Sequence, residues 1–353
     1  MPEIINEKVK TELTVKDFDY ELPPELIAQT PAERRDMSRL LVVHRKSETF
    51  EHRVFHDIKE YLHPGDTLVV NDSKVIPARL LGKKDTGADV EFLLLRQRGL
   101  DIWECIVHPG RRLKSGAKVS FSDILRGEVL EEVDDGNRLV RFDYDHKKTF
   151  FEILDEVGEA PLPPYITERA ADPSRYQTVY AREPGSAAAP TAGFHFTEEL
   201  LAQIKEMGVE VVPVMLHVGL GTFRPVKVEK IEEHHMHTEF FSVSPESAEK
   251  INSRRAAGGR TICVGTTSCR TIESASDDSG MVRAMSGDTG IFIYPGYRFK
   301  ATDALITNFH LPQSTLLMLV SALSSRELIM RAYKEAVENR YRFFSFGDAM
   351  FIE

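Results

Sequence analysis

The segment His234-His235-Met236-His237-Thr238-Glu239 is the densest cluster of titratable side chains in the sequence. Imidazole exchanges protons near neutral pH, so general acid–base work or substrate binding ranks first for it. A solvated polar segment ranks second. Metal binding ranks last, because no zinc spacing such as HExxH is present. A second group, Ala304 to Ser314 (ALITNFHLPQS), joins an apolar strand to an apolar helix. Ligands of open α/β sheets bind beyond the carboxyl ends of strands, which is where Thr307, Asn308 and His310 fall. The plainer alternative is that Asn308 and Ser314 only turn and cap the chain.

Three further segments combine small and polar residues. His217 to Pro225 (HVGLGTFRP) carries two glycines that let a ligand approach the backbone, with exposed N–H groups as a cradle for an anion or carboxylate. Arg224 stands where a dinucleotide fingerprint would have its third glycine, and a tight turn alone also accounts for the segment. Ala189 to Thr197 (APTAGFHFT) leads into a helix N-terminus, a place that favours anionic groups. The bland reading puts Phe194 and Phe196 in the core and leaves His195 a satisfied polar residue. Arg260 to Glu273 (RTICVGTTSCRTIE) runs strand, turn, helix. It sets Gly265, Thr266, Thr267 and Ser268 at the helix start, with Arg270 one turn in. The absence of GxSxG and GxxxxGK[ST] argues against a serine hydrolase and a P-loop nucleotidase.

The elements that position these groups change texture along the chain. Up to about residue 62 the sequence predicts a helical segment around Glu25 to Arg35, a strand at Leu40 to His44 and a short amphipathic helix ending at Tyr61-Leu62. From 64 to 146, short β runs begin with Thr67 to Asn71 and end with Arg138 to Tyr144, separated by Gly, Asp and Asn. Such spacing suggests a small barrel or sandwich, and Asp134 to Asn137 is a hairpin turn by chemistry. Beyond 148, helices and strands alternate, which argues for α/β architecture. Helix caps are predicted at Thr197, Ser244-Pro245 and Ser314, and buried strands at Arg260 to Gly265, Gly290 to Tyr294 and Ala304 to Thr307. The expected fold is an α/β large domain, residues 1–63 and 147–353, with an inserted small all-β barrel domain, residues 64–146.

Composition narrows the class. A net charge of −10 counts against a general nucleic-acid binder, although a local basic patch can sit on an acidic protein. Cys105, Cys263 and Cys269 are odd in number and far apart, so they form no disulfide framework or CxxC pair. The N-terminal stretch mixes both charges and lacks an apolar core, and the apolar run Leu316 to Leu323 is too short to span a bilayer. A cytoplasmic protein is expected.

Taken together, FDYELPPELIAQTPAERRDMSRLL, VVNDSKVIPARL, RYQTVYA, GSAAAPTAGFHFT, LHVGLGTFRPV, HMHTE, GTTSCRT, YPGYRF and TNFHLPQSTLLMLVSA occur in this order. They resemble the S-adenosylmethionine:tRNA ribosyltransferase-isomerase family of queuosine biosynthesis, from Phe18 to Asp348. The resemblance implies transfer of the ribosyl unit of S-adenosylmethionine to the aminomethyl group of preQ1 at the tRNA wobble position. Adenine and methionine leave, and the ribose becomes an epoxycyclopentane. It implies no metal and no cofactor beyond S-adenosylmethionine as co-substrate, and a fold that pairs an α/β domain with an inserted barrel. A monomer is expected.

On that basis His237, Glu239, His310 and His195 are the candidate proton carriers. Gly193, His217, Gly219, Gly221, Thr222, Thr266, Thr307 and Asn308 are expected around S-adenosylmethionine. Arg224 and Arg270 are expected to clamp its carboxylate, which a guanidinium can do with two parallel bonds. Arg34, Arg35, Arg39, Arg111, Arg112, Arg340 and Arg342 are the tRNA candidates, each pair of which also reads as a solvated face. Two other classes compete. A methyltransferase would release S-adenosylhomocysteine instead of adenine and methionine. An RNA-binding scaffold would bind tRNA through an isolated barrel.

Overall fold

The computed structural model describes residues 12–133, 136–161, 163, 165–166, 172–219, 226 and 228–353. In chain order the strands are β1 (Arg39–His44), β2 (Thr49–Val54), β3 (Thr67–Asn71), β4 (Ser73–Val75), β5 (Arg79–Lys84), β6 (Asp89–Gly99), β7 (Ile102–His108), β8 (Lys118–Ser120), β9 (Leu125–Glu132), β10 (Arg138–Tyr144), β11 (Glu183–Ser186), β12 (Glu210–Leu216), β13 (Glu239–Val243), β14 (Thr261–Val264), β15 (Met285–Thr289), β16 (Ala304–Asn308) and β17 (Ala349–Ile352). The α-helices are α1 (Phe150–Val157), α2 (Glu198–Glu206), α3 (Pro245–Ala256), α4 (Gly265–Ala275), α5 (Thr315–Leu323) and α6 (Arg326–Glu338).

Nine strands form one mixed sheet in the order β15-β13-β12-β3-β14-β16-β17-β1-β2. The central strands are covered on both faces, so their side chains alternate between two apolar layers. Leu41, Val69, Cys263, Leu305 and Met350 belong to the layer that includes Ile251 of α3, Ile272 of α4, Leu317 of α5 and Leu328 of α6. Leu40, Val70, Val264, Ile306 and Phe351 face the other way, against Phe55, Ile58 and the α2 residues Leu200 and Ile204.

Strands β10-β7-β6-β5-β8-β9 close into a six-stranded antiparallel barrel. Its interior holds Leu80, Phe92, Cys105 and Val140, and α1 packs Phe150, Ile153 and Leu154 against the same cluster. The chain leaves the large sheet after β3 and returns to it at β12, which pairs with β3 in parallel. A two-stranded ribbon, β4 with β11, bridges the two bodies.

Helix caps follow the sequence closely. The Thr197, Ser244 and Ser314 side chains accept from Leu200, Ser247 and Leu317 N–H groups. Three expectations are corrected. Residues 25–35 form no α-helix but two short 3-10 turns, Pro24–Leu26 and Arg35–Met37, in a stretch that contains Pro23, Pro24 and Pro31. The strand expected at Gly290 to Tyr294 lies instead at Met285–Thr289, where it pairs with β13. The run Thr67–Asn71 belongs to the large sheet, between β12 and β14, so the barrel strands begin only at Arg79 and not near 64. Of the expected hairpin turn, Asp134 and Asp135 lie outside the described residues.

Candidate active site

Strands β12, β3, β14 and β16 run parallel, so Leu216, Asn71, Val264 and Asn308 end at one edge of the sheet. A cavity of 660 Å³ opens there. Its walls are Ala188–Ala192, Gly265–Thr267 and the run Thr307–Leu316 that follows β16. Thr266, Thr307, Asn308 and His310, which the sequence offers in two separate segments, therefore meet around one space. Ala188 to Ala192 supply a wall of small residues, of which Ala189 to Ala192 open the segment that leads to α2.

His310 lines the cavity. Its Nε2 lies 2.8 Å from the Thr307 hydroxyl. Its backbone N–H donates to the Tyr333 hydroxyl at 2.9 Å, and its carbonyl accepts from Tyr20. Burial pulls the His310 pKa down to about 3, so the ring is neutral at physiological pH.

His195 lies behind the cavity wall, only 3% exposed. Asn308 Nδ2 donates to its Nε2 at 3.1 Å, which leaves the proton on Nδ1 to be donated to Ser38 Oγ at 2.7 Å. Burial first, and the charges of Arg35 and Arg342 next, bring its pKa down to about 3. Both ring nitrogens are occupied, so His195 is corrected from proton carrier to a support for Asn308. Asn308 also accepts from the Thr191 hydroxyl at 3.0 Å and donates to the Phe344 carbonyl at 3.2 Å. Gly193, expected around the donor, is not among the residues that line the cavity, and a Cβ there would overlap the Tyr180 hydroxyl and the Thr178 side chain.

Helix α4 starts at the cavity with Gly265, whose φ of +85° suits glycine. No side chain caps this terminus. Its first N–H groups and the buried, unpartnered Thr267 hydroxyl thus sit beside the cavity. Ser268 points away and donates to the Val264 carbonyl at 2.8 Å. One turn in, Arg270 is 3% exposed and pairs with Glu239, whose other oxygen accepts from the Gly219 N–H at 2.9 Å. Glu239 neutralises the Arg270 guanidinium through Nη1, while its Nε and Nη2 are buried with no partner among the described residues, and the side chain is not among those that line the cavity. Glu239 is an anchor for Gly219 and α4. Gly221, Thr222 and Arg224 lie outside the described residues.

A second space of 910 Å³ separates the barrel from the large sheet. His217, Gly219, His235, His237 and Glu239 line it from the sheet, and Arg96, Arg98 and Glu104 from the barrel. Val218 faces the first cavity while its neighbours His217 and Gly219 face the cleft, so the two spaces share one strip of backbone. Burial lowers the His217 pKa, and its buried Nε2 has no partner among the described residues. The cleft arginines are paired, Arg96 with Asp288 at 2.6 Å and Arg98 with Glu104 at 2.5 Å. Among the described residues no group of three or more His, Cys, Asp or Glu is placed to hold a metal ion. Asp72, directly after β3, has its pKa raised to about 6 by burial and the nearby Glu183, and it lines neither space.

The arginines expected at tRNA divide into two zones. Arg39 donates to the Asn339 carbonyl and lies 3.7 Å over the Tyr341 ring, which brings it together with Arg340 and Arg342. Arg342 bonds the Thr30 carbonyl, and Arg34 is exposed beside Asp36. Arg35 is corrected: it is half-buried and donates to the Phe194 and Arg175 carbonyls, so it serves the fold. Arg111 and Arg112 are exposed on the barrel.

The chain as a whole resembles known proteins. The family model described as queuosine biosynthesis protein matches residues 15–352. The S-adenosylmethionine:tRNA ribosyltransferase-isomerase of Acetivibrio thermocellus is 59% identical over 343 residues, covering 97% of this chain and 100% of the relative. The protein of the same name from Clostridioides difficile is 57% identical, covering 97% and 100%. A crystal structure of S-adenosylmethionine tRNA ribosyltransferase from Thermotoga maritima is 41% identical, with a TM-score of 0.55 and coverage of 96% and 100%.

Proposed function

The chain belongs to the queuosine-biosynthesis family, and from that premise we infer that it transfers the ribosyl unit of S-adenosylmethionine to tRNA and isomerises it. The observation that carries this is identity of 59% to a named ribosyltransferase-isomerase along its whole length. The acceptor in this reading is the aminomethyl group of preQ1 at the wobble position, and the product is epoxyqueuosine-tRNA with adenine and methionine released. The enzyme acts in the cytoplasm, where its tRNA partner is found.

The cavity beyond β16 suits the sulfonium donor. It is large enough for a nucleoside and lined by no charged side chain among the described residues. The methionine carboxylate fits at the uncapped N-terminus of α4, whose backbone N–H groups favour an anion. The adjoining cleft, with its histidines, fits the modified base entering from the barrel side.

The sulfonium acidifies the C5′ protons, and a neutral imidazole can take one. In the tautomer that carries its proton on Nε2, which faces the Thr307 hydroxyl, His310 has a lone pair on Nδ1 for that step. Opening of the ribose expels adenine, which leaves more readily when protonated, and His310 then returns the proton. The neutral amine of preQ1 attacks the opened sugar, and methionine departs as the epoxide closes. His237 faces the cleft and is the second proton carrier of this reading. The test is to identify what S-adenosylmethionine becomes in the presence of preQ1-containing tRNA. Adenine and methionine support ribosyl transfer, and S-adenosylhomocysteine would make the protein a methyltransferase.

A further inference from the structure

Five basic side chains line a groove at one end of the barrel: Lys84, Arg111, Arg112, Lys114 and Lys118, with Asp85 beside them. Arg111, Arg112, Lys114 and Lys118 have no carboxylate at ion-pair distance among the described residues. Their surroundings are otherwise well paired. Lys83 takes Asp89, and Glu128, which faces Lys118 across the β8–β9 ladder, is taken by Arg141. The loop is also built to hold its shape. Arg138 is 5% exposed and donates to the Leu113 carbonyl at 2.7 Å, the Gly110 carbonyl at 3.1 Å and the Gly136 carbonyl at 2.6 Å. Lys84 donates to the Arg112 carbonyl at 3.1 Å.

A buried guanidinium thus fixes a loop that gathers like charges on a protein whose net charge is −10. Clustering them gains nothing for folding, since their mutual repulsion opposes the compact state. It does suit a polyanion, from whose phosphates such groups release counterions. Strand β7 runs from Glu104 and Ile106, which line the interdomain cleft, to the loop that bears Arg111 and Arg112. We propose that this barrel groove grips the phosphate backbone of the tRNA whose wobble base enters the cleft. The proposal rests on the reading of the cleft given above.

The test is tRNA binding by the full chain, followed by fluorescence anisotropy across a salt series. The triple variant R111Q/R112Q/K114Q is compared with wild type and with K334E, a reversal on the outer face of α6. The triple variant should weaken binding at least tenfold. It should reduce the slope of log affinity against log salt by about 2 to 3, as loss of three phosphate contacts requires. Its melting temperature and S-adenosylmethionine affinity should match wild type, and R111K/R112K/K114R should restore the slope. Wild-type affinity and slope in the triple variant would overturn the groove. A wild-type chain that binds tRNA through the groove but releases no adenine would overturn the enzymatic reading and leave the groove standing.

Discussion

Burial keeps the His310 ring unprotonated at every physiological pH, and the same lowered pKa weakens its hold on any proton it takes, so that proton is readily passed on. Replacing it by alanine should lower the rate of adenine release by about 10² or more while S-adenosylmethionine still binds, read by single-turnover kinetics beside equilibrium binding. His195 and His310 also set an acid limit on the fold. Each has a folded pKa of about 3 against an ordinary value of 6.5. Between those values the unfolded chain binds protons that the folded chain does not, so stability falls as pH drops below 6.5, by up to about 1.4 kcal/mol per pH unit for each ring. H195Q should flatten the acid limb of stability in urea melts between pH 7 and 4, and an unchanged slope would contradict the assignment. The sequence made His310 legible because it follows a strand end. It did not show the partners of His195 or Arg270, because Ser38, Asn308 and Glu239 reach them only through tertiary packing.

At the scale of elements, the start of α4 is where helix geometry becomes chemistry. Its N–H groups face the cavity only because Gly265 turns the chain at φ +85°. G265A should cost about 1–2 kcal/mol by the strain of that conformation and raise the KM for S-adenosylmethionine, measured by thermal melts and initial rates. The same helix is tied to β13 by the Arg270–Glu239 pair. Removing one partner leaves a buried charge, so R270M should destabilise by about 3–5 kcal/mol, and the double change E239Q/R270M by less. Denaturant titration of the three proteins decides this. Helices were readable where a cap and an apolar stripe agree, as at Thr197, Ser244 and Ser314. Residues 25–35 misled because their composition suits a helix, whereas Pro31 in their middle has no N–H for the backbone ladder a helix would need. The run Thr67–Asn71 misled differently. All five residues are buried, the mark of a central parallel strand, yet in sequence it abuts the short strands of the barrel.

At the scale of the whole molecule, an acidic α/β body carries a barrel that presents unpaired basic groups, and the cleft between them opens beside the cavity proposed for the donor. The alternation of textures along the chain made this two-part plan legible. The meeting of cavity and cleft along Val218 and Gly219 was not, since it depends on how the two bodies pack. In the proposed reading the donor cavity and the acceptor cleft share the strip of backbone at Val218 and Gly219. The most direct measurement supplies S-adenosylmethionine labelled with ¹³C throughout its ribose, together with preQ1-containing tRNA. Mass spectrometry then follows the label. The account predicts that the intact five-carbon label appears on the wobble nucleoside, one equivalent each of adenine and methionine being released per label transferred. Label retained in S-adenosylhomocysteine, with none on the tRNA, would contradict it.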